Sequence, residues 1–315
     1  MKNHQKIFVG TRTSKLALVQ ANIIIDALET KNPHLKGIFE IVGVVTSGDM
    51  DQSQSLADSG GKALFSKEIH QQLWDGRIHF AVHSLKDLEA YEISGIHVAC
   101  VKGGEHVRDV LVGPKHMSLV ISDLPKNAVV GTCSPRRTVQ LLHQRPDLDV
   151  RPIRGNVETR LKKLEKGDFY AIILAEAGLR RLGLWTCDGE EIQGYTNLKA
   201  SIIPVSHMLP AVGQGVIAVD CRTDDIETQN LLSTINDPVL LKKIKAERFM
   251  LQMLHGNCHT AVGCLSNFEN DIFNMAACYA PKENEKLVFA SCHGPADQPE
   301  LVAEKVAKKL LKATS

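Results

Sequence analysis

The sequence predicts an α/β fold, with two α/β domains of similar size around a cleft and a small α+β domain at the C-terminal end. Three observations carry this reading. Over the first two thirds of the chain, β-branched runs end in short Gly, Ser, Thr or Asn segments and lead into stretches with 3.6-residue periodicity. The polar stretch from Gly103 to Lys126 separates two such clusters. Near residue 237 the pattern changes to one long helix, short strands and a closing amphipathic helix, ELVAEKVAKKLLKA.

In order, strands are expected at 6–9 (KIFV), 39–45 (FEIVGVV), 78–82 (IHFAV), 96–101, 128–130, 149–153 and 171–174 (AIIL). Helices are expected at 14–29, 64–74, 135–144, 157–165 and 176–182, then at about 238–254, with short strands near 272–279 and 286–292. The segment LPAVGQGVIAVD, residues 209–220, either returns the chain to the first sheet or is a simple interdomain turn. With the return, the domains span 1–104 with 216–236, then 105–215, then 237–315.

A chain of 315 residues exceeds what one hydrophobic core usually organises, and 43% hydrophobic with 23% charged residues is ordinary globular composition. The formal net charge of +1 gives no global field towards nucleic acid or an anionic membrane, so any electropositive site must be local. The opening MKNHQKIFVGTRTSK lacks a signal-peptide core, and no stretch is long and apolar enough to span a bilayer. A cytoplasmic monomer is expected, with no nucleic-acid or membrane partner. The basic RLKKLEKG segment has interleaved acids and no aromatic platform, which reads as a solvated helix face. The eight cysteines are scattered without a C-x-x-C pair or finger-like His spacing, against a disulfide framework and against a metal site.

Three strand-to-helix junctions place arginine beside a helix start: GTRTS at 10–14, GTCSPRR at 131–137 and RGNVETR at 154–160. Helix N-termini favour anions, and arginine adds a bidentate fork for carboxylate or phosphate. At the second junction Ser134 suits the N-cap and Pro135 the first helical position, so Arg136 and Arg137 fall in the first turn, against the dipole. Bound anions would offset that cost; solvated surface arginine is the competing reading. No P-loop or dinucleotide fingerprint is present.

DSGGKALFSKEI, residues 58–69, reads as a lid carrying Lys62, or as a plain flexible loop. AVHSLKD, residues 81–87, sets Lys86 and Asp87 just past a strand's carboxyl end, where α/β sheets place their chemistry. There a carboxylate among cations holds a developing positive charge and shuttles a proton; alone, such an Asp is more often a turn residue. HGNCHTAVGC, residues 255–264, puts Cys258 in a turn after the long helix; near cations its thiolate would form a covalent bond, and Cys264 is an equal candidate.

Taken together and in order, GTRTSKLALVQ, GGKALFSKE, AVHSLKD, GTCSPRR, RGNVETRL, AIILAEAGLRRLG, LPAVGQG and AERFMLQMLHGNC resemble hydroxymethylbilane synthase, also called porphobilinogen deaminase. The resemblance implies two periplasmic-binding-protein-like domains and a third carrying a cofactor cysteine. It implies head-to-tail polymerisation of four porphobilinogen molecules into hydroxymethylbilane with loss of four ammonia molecules. It implies a dipyrromethane cofactor joined by a thioether to Cys258, and Asp87 as the carboxylate that assists ammonia loss. Arg12, Ser14, Lys62, Lys86, Ser134, Arg136, Arg137, Arg154 and Arg160 match positions that bind the acetate and propionate side chains. The chain departs from the family at Glu89, where proline is usual, at His255 and Asn257 in place of Glu and Gly, and at Ala261 in place of proline. A non-catalytic two-lobed binder of a small polycarboxylate is the alternative that the arginine junctions alone leave open.

Overall fold

The computed structural model describes residues 6–46, 66–91, 93–186, 189–256, 260–282 and 285–314. The chain divides into two compact units, Met1–Gly104 with Val216–Lys242 and Glu105–Gly215 with Lys243–Ser315.

The first unit is built on a sheet of β1 (Ile7–Arg12), β2 (Phe39–Val44), β3 (Phe80–Ser84), β4 (Ile96–Gly103) and, numbered in chain order, β10 (Val216–Arg222). Their spatial order is β2-β1-β3-β10-β4. β1 runs parallel to β2 and β3, whereas β10 is antiparallel to β3 and β4. LPAVGQG therefore leads into a strand that returns to the first sheet, as one of the two sequence readings expected. Period-two alternation along β3 sends Phe80 and Val82 to one face and Ala81 to the other. On the first face lies α1 (Lys15–Lys31), whose Ala21, Ile24, Ile25 and Leu28 recur at helical spacing and pack with Val9, Ile217 and Val219. On the second lies α2 (Lys67–Trp74), which buries Ile69 and Leu73 against Val44, Ile78 and Ile96.

The second unit repeats the plan. β5 (Asp109–Pro114), β6 (Val129–Gly131), β7 (Asp149–Arg151), β8 (Ala171–Ala175) and β9 (Leu198–Ile203) lie in the order β7-β6-β8-β5-β9. β6 is parallel to β7 and β8, and β5 is antiparallel to β8 and β9. Its helices are α3 (Pro135–Gln144), α4 (Val157–Glu165) and α5 (Glu176–Arg181). The stretch Gly103–Lys126, read as a polar separator, contains the fully buried run Asp109–Gly113 of β5, whose hydrogen-bond partners both lie far along the chain. β9 and helix α6 (Ile226–Ser233) of the first unit were likewise not anticipated.

After the long helix α7 (Pro238–Met253) come β11 (Ala261–Glu269), β12 (Ile272–Ala280) and β13 (Val288–Pro295), an antiparallel sheet, and then α8 (Pro299–Thr314). α8 buries Val302, Ala303, Val306, Ala307 and Leu310, one stripe of an amphipathic helix. Val139 of α3 and Leu209 pack with Ala261, Cys278 and Ala280, which joins this small α+β layer to the second α/β sheet.

α7 ends in a Schellman turn: the Gly256 N–H donates to Leu251 O and the His255 N–H to Gln252 O, both at 2.9 Å. His255 occupies the left-handed position of that turn, φ 50°. A side chain on Gly256 would begin 2.4 Å from Leu251 Cδ1 and 3.2 Å from Leu251 O. His255→Gly is therefore expected to stabilise the protein by about 0.5–1 kcal/mol, because a non-glycine residue pays to hold this conformation. Gly256→Ala should destabilise it; thermal unfolding of the two variants checks the opposite signs.

Candidate functional site

In the first unit the described side chains singled out by the sequence stand at the carboxyl end of the parallel strands. Arg12 is the last residue of β1, and Ser14 caps α1 with its Oγ accepting the Ala17 N–H at 3.3 Å. β3 ends at Ser84, which exchanges hydrogen bonds with Gln20 at 2.9 and 3.2 Å. The chain then makes a single 3-10 turn, Leu85–Asp87, closed by the Leu88 N–H donating to Leu85 O at 3.0 Å. Leu85 is buried and anchors the turn, while Lys86 and Asp87 stay half-buried. The spacing S-L-K-D thus works mechanically: one apolar residue goes into the core and two charged ones point out of it.

Behind this turn His83 is buried beside His70 of α2 and Asp220 of β10. Asp220 Oδ2 lies 3.1 Å from His70 Nε2 and 3.7 Å from His83 Nε2. Burial holds His83 neutral, lowering its pKa to about 4 against the opposing pull of Asp220. The carboxylate of Asp87 and the guanidinium of Arg12 also act on this ring with opposite signs, so the three groups share one electrostatic neighbourhood.

In the second unit the GTCSPRR junction is the end of β6 followed by α3, with Ser134 at the N-cap and Pro135 in the first turn as the sequence implied. The Ser134 hydroxyl makes no capping bond to the helix. Arg136 and Arg137 are not solvated: they are 3% and 5% exposed, and the anion they meet is Asp109 at the start of β5. Arg136 Nη1 donates to Asp109 Oδ2 and to Leu209 O, each at 2.7 Å. Arg137 gives Nε and Nη2 to Asp109 Oδ1, at 3.1 and 2.7 Å, and Nη1 to Ile173 O at 2.8 Å. Gln214 Nε2 adds a bond to Asp109 Oδ1 at 3.0 Å. Burial alone would raise the Asp109 pKa, but the two guanidinium groups outweigh it and hold the carboxyl well below the usual carboxylate range. The cost of first-turn arginines is thus met within the protein. Arg137 has every guanidinium nitrogen on a protein acceptor; Arg136 Nε is buried with no partner among the described residues.

Arg154 and Arg160 flank the third junction. Asn156 caps α4, its Oδ1 accepting the Thr159 N–H at 2.8 Å, and Arg160 Nε donates to Gly155 O at 2.8 Å. Gly155 has φ +106°, and a Cβ there would meet Thr159 Cγ2 at 2.6 Å, so the turn sets the glycine at this position. Burial is the main cause that lowers the Arg137 pKa, and Arg160 adds a smaller push in the same direction, which places the second and third junctions within electrostatic reach of each other.

Sequence reasoning missed Asp109 and Glu247. Glu247, on α7, is buried, accepts the Gly213 N–H at 3.1 Å and the Ser266 hydroxyl at 2.7 Å, and so holds the GQG turn to α7 and β11. Burial raises its pKa.

Lys62 and Cys258 lie outside the described residues. Among the other cysteines, burial pushes the thiols of Cys100 and Cys221 up to about 12 and that of Cys278 up to about 11. Cys264, the alternative nucleophile on sequence grounds, is fully enclosed, and burial raises its thiol well above the ordinary value. A thiol that does not ionise is a poor nucleophile.

Asp109→Asn is expected to cost roughly 3–5 kcal/mol, because it leaves two buried guanidinium groups facing a neutral amide. The carboxyl's pKa is lower folded than unfolded, so its stabilisation is present above about pH 4 and is lost as pH falls below that. In denaturant titrations of wild type and variant the stability gap should be constant from pH 7 to about pH 4 and begin to narrow towards pH 3.

Two family models match the chain: "Porphobilinogen deaminase, dipyromethane cofactor binding domain" over residues 7–230 and "Porphobilinogen deaminase, C-terminal domain" over residues 241–312. A curated porphobilinogen deaminase of an Exiguobacterium species is 41% identical over 267 residues, covering 85% of this chain and 83% of the relative. That of Macrococcus caseolyticus is 42% identical, covering 82% and 80%. That of Legionella pneumophila is 41% identical, covering 84% and 81%. Among solved structures, the VFT2 domain of Bordetella pertussis BvgS aligns over 78% of this chain and 91% of that chain at 14% identity and a TM-score of 0.42, too loose a match to bear on function. With family models spanning nearly its whole length, this chain belongs to the porphobilinogen deaminase family.

Proposed function

We infer that this chain polymerises four porphobilinogen molecules into hydroxymethylbilane with release of four ammonia molecules, on a dipyrromethane primer carried by Cys258. Membership of the family, whose matched model is the cofactor-binding domain, carries this reading. The proposal extends to a cytoplasmic monomer whose product feeds tetrapyrrole synthesis.

The residues present suit such a group. A dipyrromethane built from porphobilinogen is a polycarboxylate, and the described donors are of the matching kind: the unbonded Nε of Arg136 and the N-terminus of the ten-residue α3 without a side-chain cap. When bound, the cofactor supplies a pyrrole with a free α-carbon to which substrate units are added.

The protein's own residues do the rest. Arg12, Lys62, Lys86, Arg154 and Arg160, with Ser14 and Ser134, neutralise and orient acetate and propionate groups, which would otherwise repel one another as the chain lengthens. Arg137 acts differently from the simple reading of its position: committed to Asp109 and Ile173 O, it positions Arg136 and the start of α3. Asp87, half-buried at a strand end, accepts the pyrrole N–H and steadies the positive charge that develops as ammonia departs. Cys258 supplies the attacking thiolate for cofactor attachment; the enclosed state of Cys100, Cys221, Cys264 and Cys278 supports that choice among the cysteines.

Intact mass of the purified protein should exceed the chain mass by two pyrrole units, and the excess should vanish in Cys258→Ala. A bare-chain mass in active protein would remove the cofactor from the proposal. Asp87→Asn should keep the fold and the added mass yet lose at least about 100-fold in kcat, the lower end of what a positioned acid–base group supplies. An unchanged rate would take Asp87 out of the chemistry.

A further inference from the structure

We propose that His70, His83 and Asp220 form a binding site for one divalent transition-metal ion of the zinc class, beneath the turn that carries Asp87. Nothing in the polymerisation reaction calls for this site, and it is independent of that reading.

Three separate elements build the cluster. His70 comes from the buried side of α2, His83 from β3 and Asp220 from the neighbouring antiparallel strand β10, where Asp220 stands opposite Ala81 and Ala218 opposite His83. All three residues are at least nine-tenths buried, at 2%, 6% and 3% exposure. Their donor atoms converge: Asp220 Oδ2 is 3.1 Å from His70 Nε2 and 3.7 Å from His83 Nε2, and one atom from each residue lies within 4.8 Å of the others. Donors on a tetrahedral zinc ion with bonds of about 2.0–2.1 Å stand roughly 3.3 Å apart, a spacing that the 3.1 and 3.7 Å separations bracket.

The cluster is also unfinished as a hydrogen-bond network. His70 Nε2 satisfies Asp220 Oδ2, but His83 Nε2 and Asp220 Oδ1 are both buried without a partner. Native proteins seldom leave two such atoms side by side in one enclosed space. A cation that draws a lone pair from each residue satisfies both at once. Two imidazole nitrogens and a carboxylate suit zinc or cobalt, not magnesium or calcium, which take oxygen ligands in larger number. The fourth corner belongs to water, as in sites with three protein ligands.

The test uses the full chain with its cofactor, stripped of metal and titrated with Co²⁺. One equivalent should give the visible d–d absorption of a tetrahedral ion without a thiolate charge-transfer band, and Zn²⁺ should displace it and raise the unfolding temperature. His83→Gln and Asp220→Asn should each weaken Co²⁺ binding at least about 100-fold, beyond the loss typical of outer-shell changes. His70→Gln keeps an amide that can donate to Asp220 while removing the ligand; it is the folded comparison if the other two do not fold, and should show the same loss. Absence of a one-equivalent band, a band with thiolate character, or undiminished affinity in folded His70→Gln would overturn the site. Each readout is independent of turnover, so loss of the metal site and loss of the proposed activity are separately visible.

Discussion

The second unit depends on one buried carboxylate. Asp109 opens β5, an interior strand of its sheet, and accepts bonds from Arg136, Arg137 and Gln214. Through those bonds it fixes the N-terminal turn of α3, and through Leu209 and Gln214 the LPAVGQG segment. The net charge of this enclosed group is positive: one carboxylate faces two guanidinium groups. That excess has the same sign as the helix dipole and the uncapped end of α3, which is the physical support for the proposed anion contact there. A buried ion group is weak evidence of stability but strong evidence of geometry, since removing any member strands the others.

The two α/β units apply one plan to different ends. Each has one interior antiparallel strand, β10 in the first and β5 in the second; β10 returns from a distant part of the chain, whereas β5 opens its own unit's segment. In each, the residues assigned to chemistry leave the carboxyl ends of the parallel strands: Arg12 and Asp87 in one, Ser134 and Arg154 in the other. The antiparallel strands carry the buried carboxylates that organise the neighbouring groups, Asp220 towards His70 and His83, Asp109 towards the arginine pair. Because both acids sit on strands whose pairing partners are distant in sequence, the local geometry around each depends on long-range pairing.

That dependence sets what the sequence could reveal. α3 and α4 were legible to the residue, because Ser134 with Pro135 and Asn156 after Gly155 are local stop-and-start signals. Lys86 and Asp87 were legible because an apolar run ending in polar residues marks a strand's carboxyl end. β5 was not: DVLVGP is six residues within a polar stretch, and only its pairing with β8 and β9 makes it central. The intramolecular partner of Arg136 and Arg137 was not legible, since Asp109 is 27 and 28 positions away. The His70–Asp220 pair, 150 positions apart, left no local trace. The cysteines were the converse case: eight equal thiols in the sequence, four of them placed in the core by the fold.

The central question is whether the arginine junctions and Asp87 serve a reaction or only a grip. Ammonia and hydroxymethylbilane measured together during turnover of porphobilinogen by the purified chain decide this most directly. A polymerising enzyme releases four ammonia molecules for each hydroxymethylbilane formed, and that ratio is the expected result. Saturable porphobilinogen binding with no ammonia released would contradict it and leave a two-lobed binder of polycarboxylates in its place.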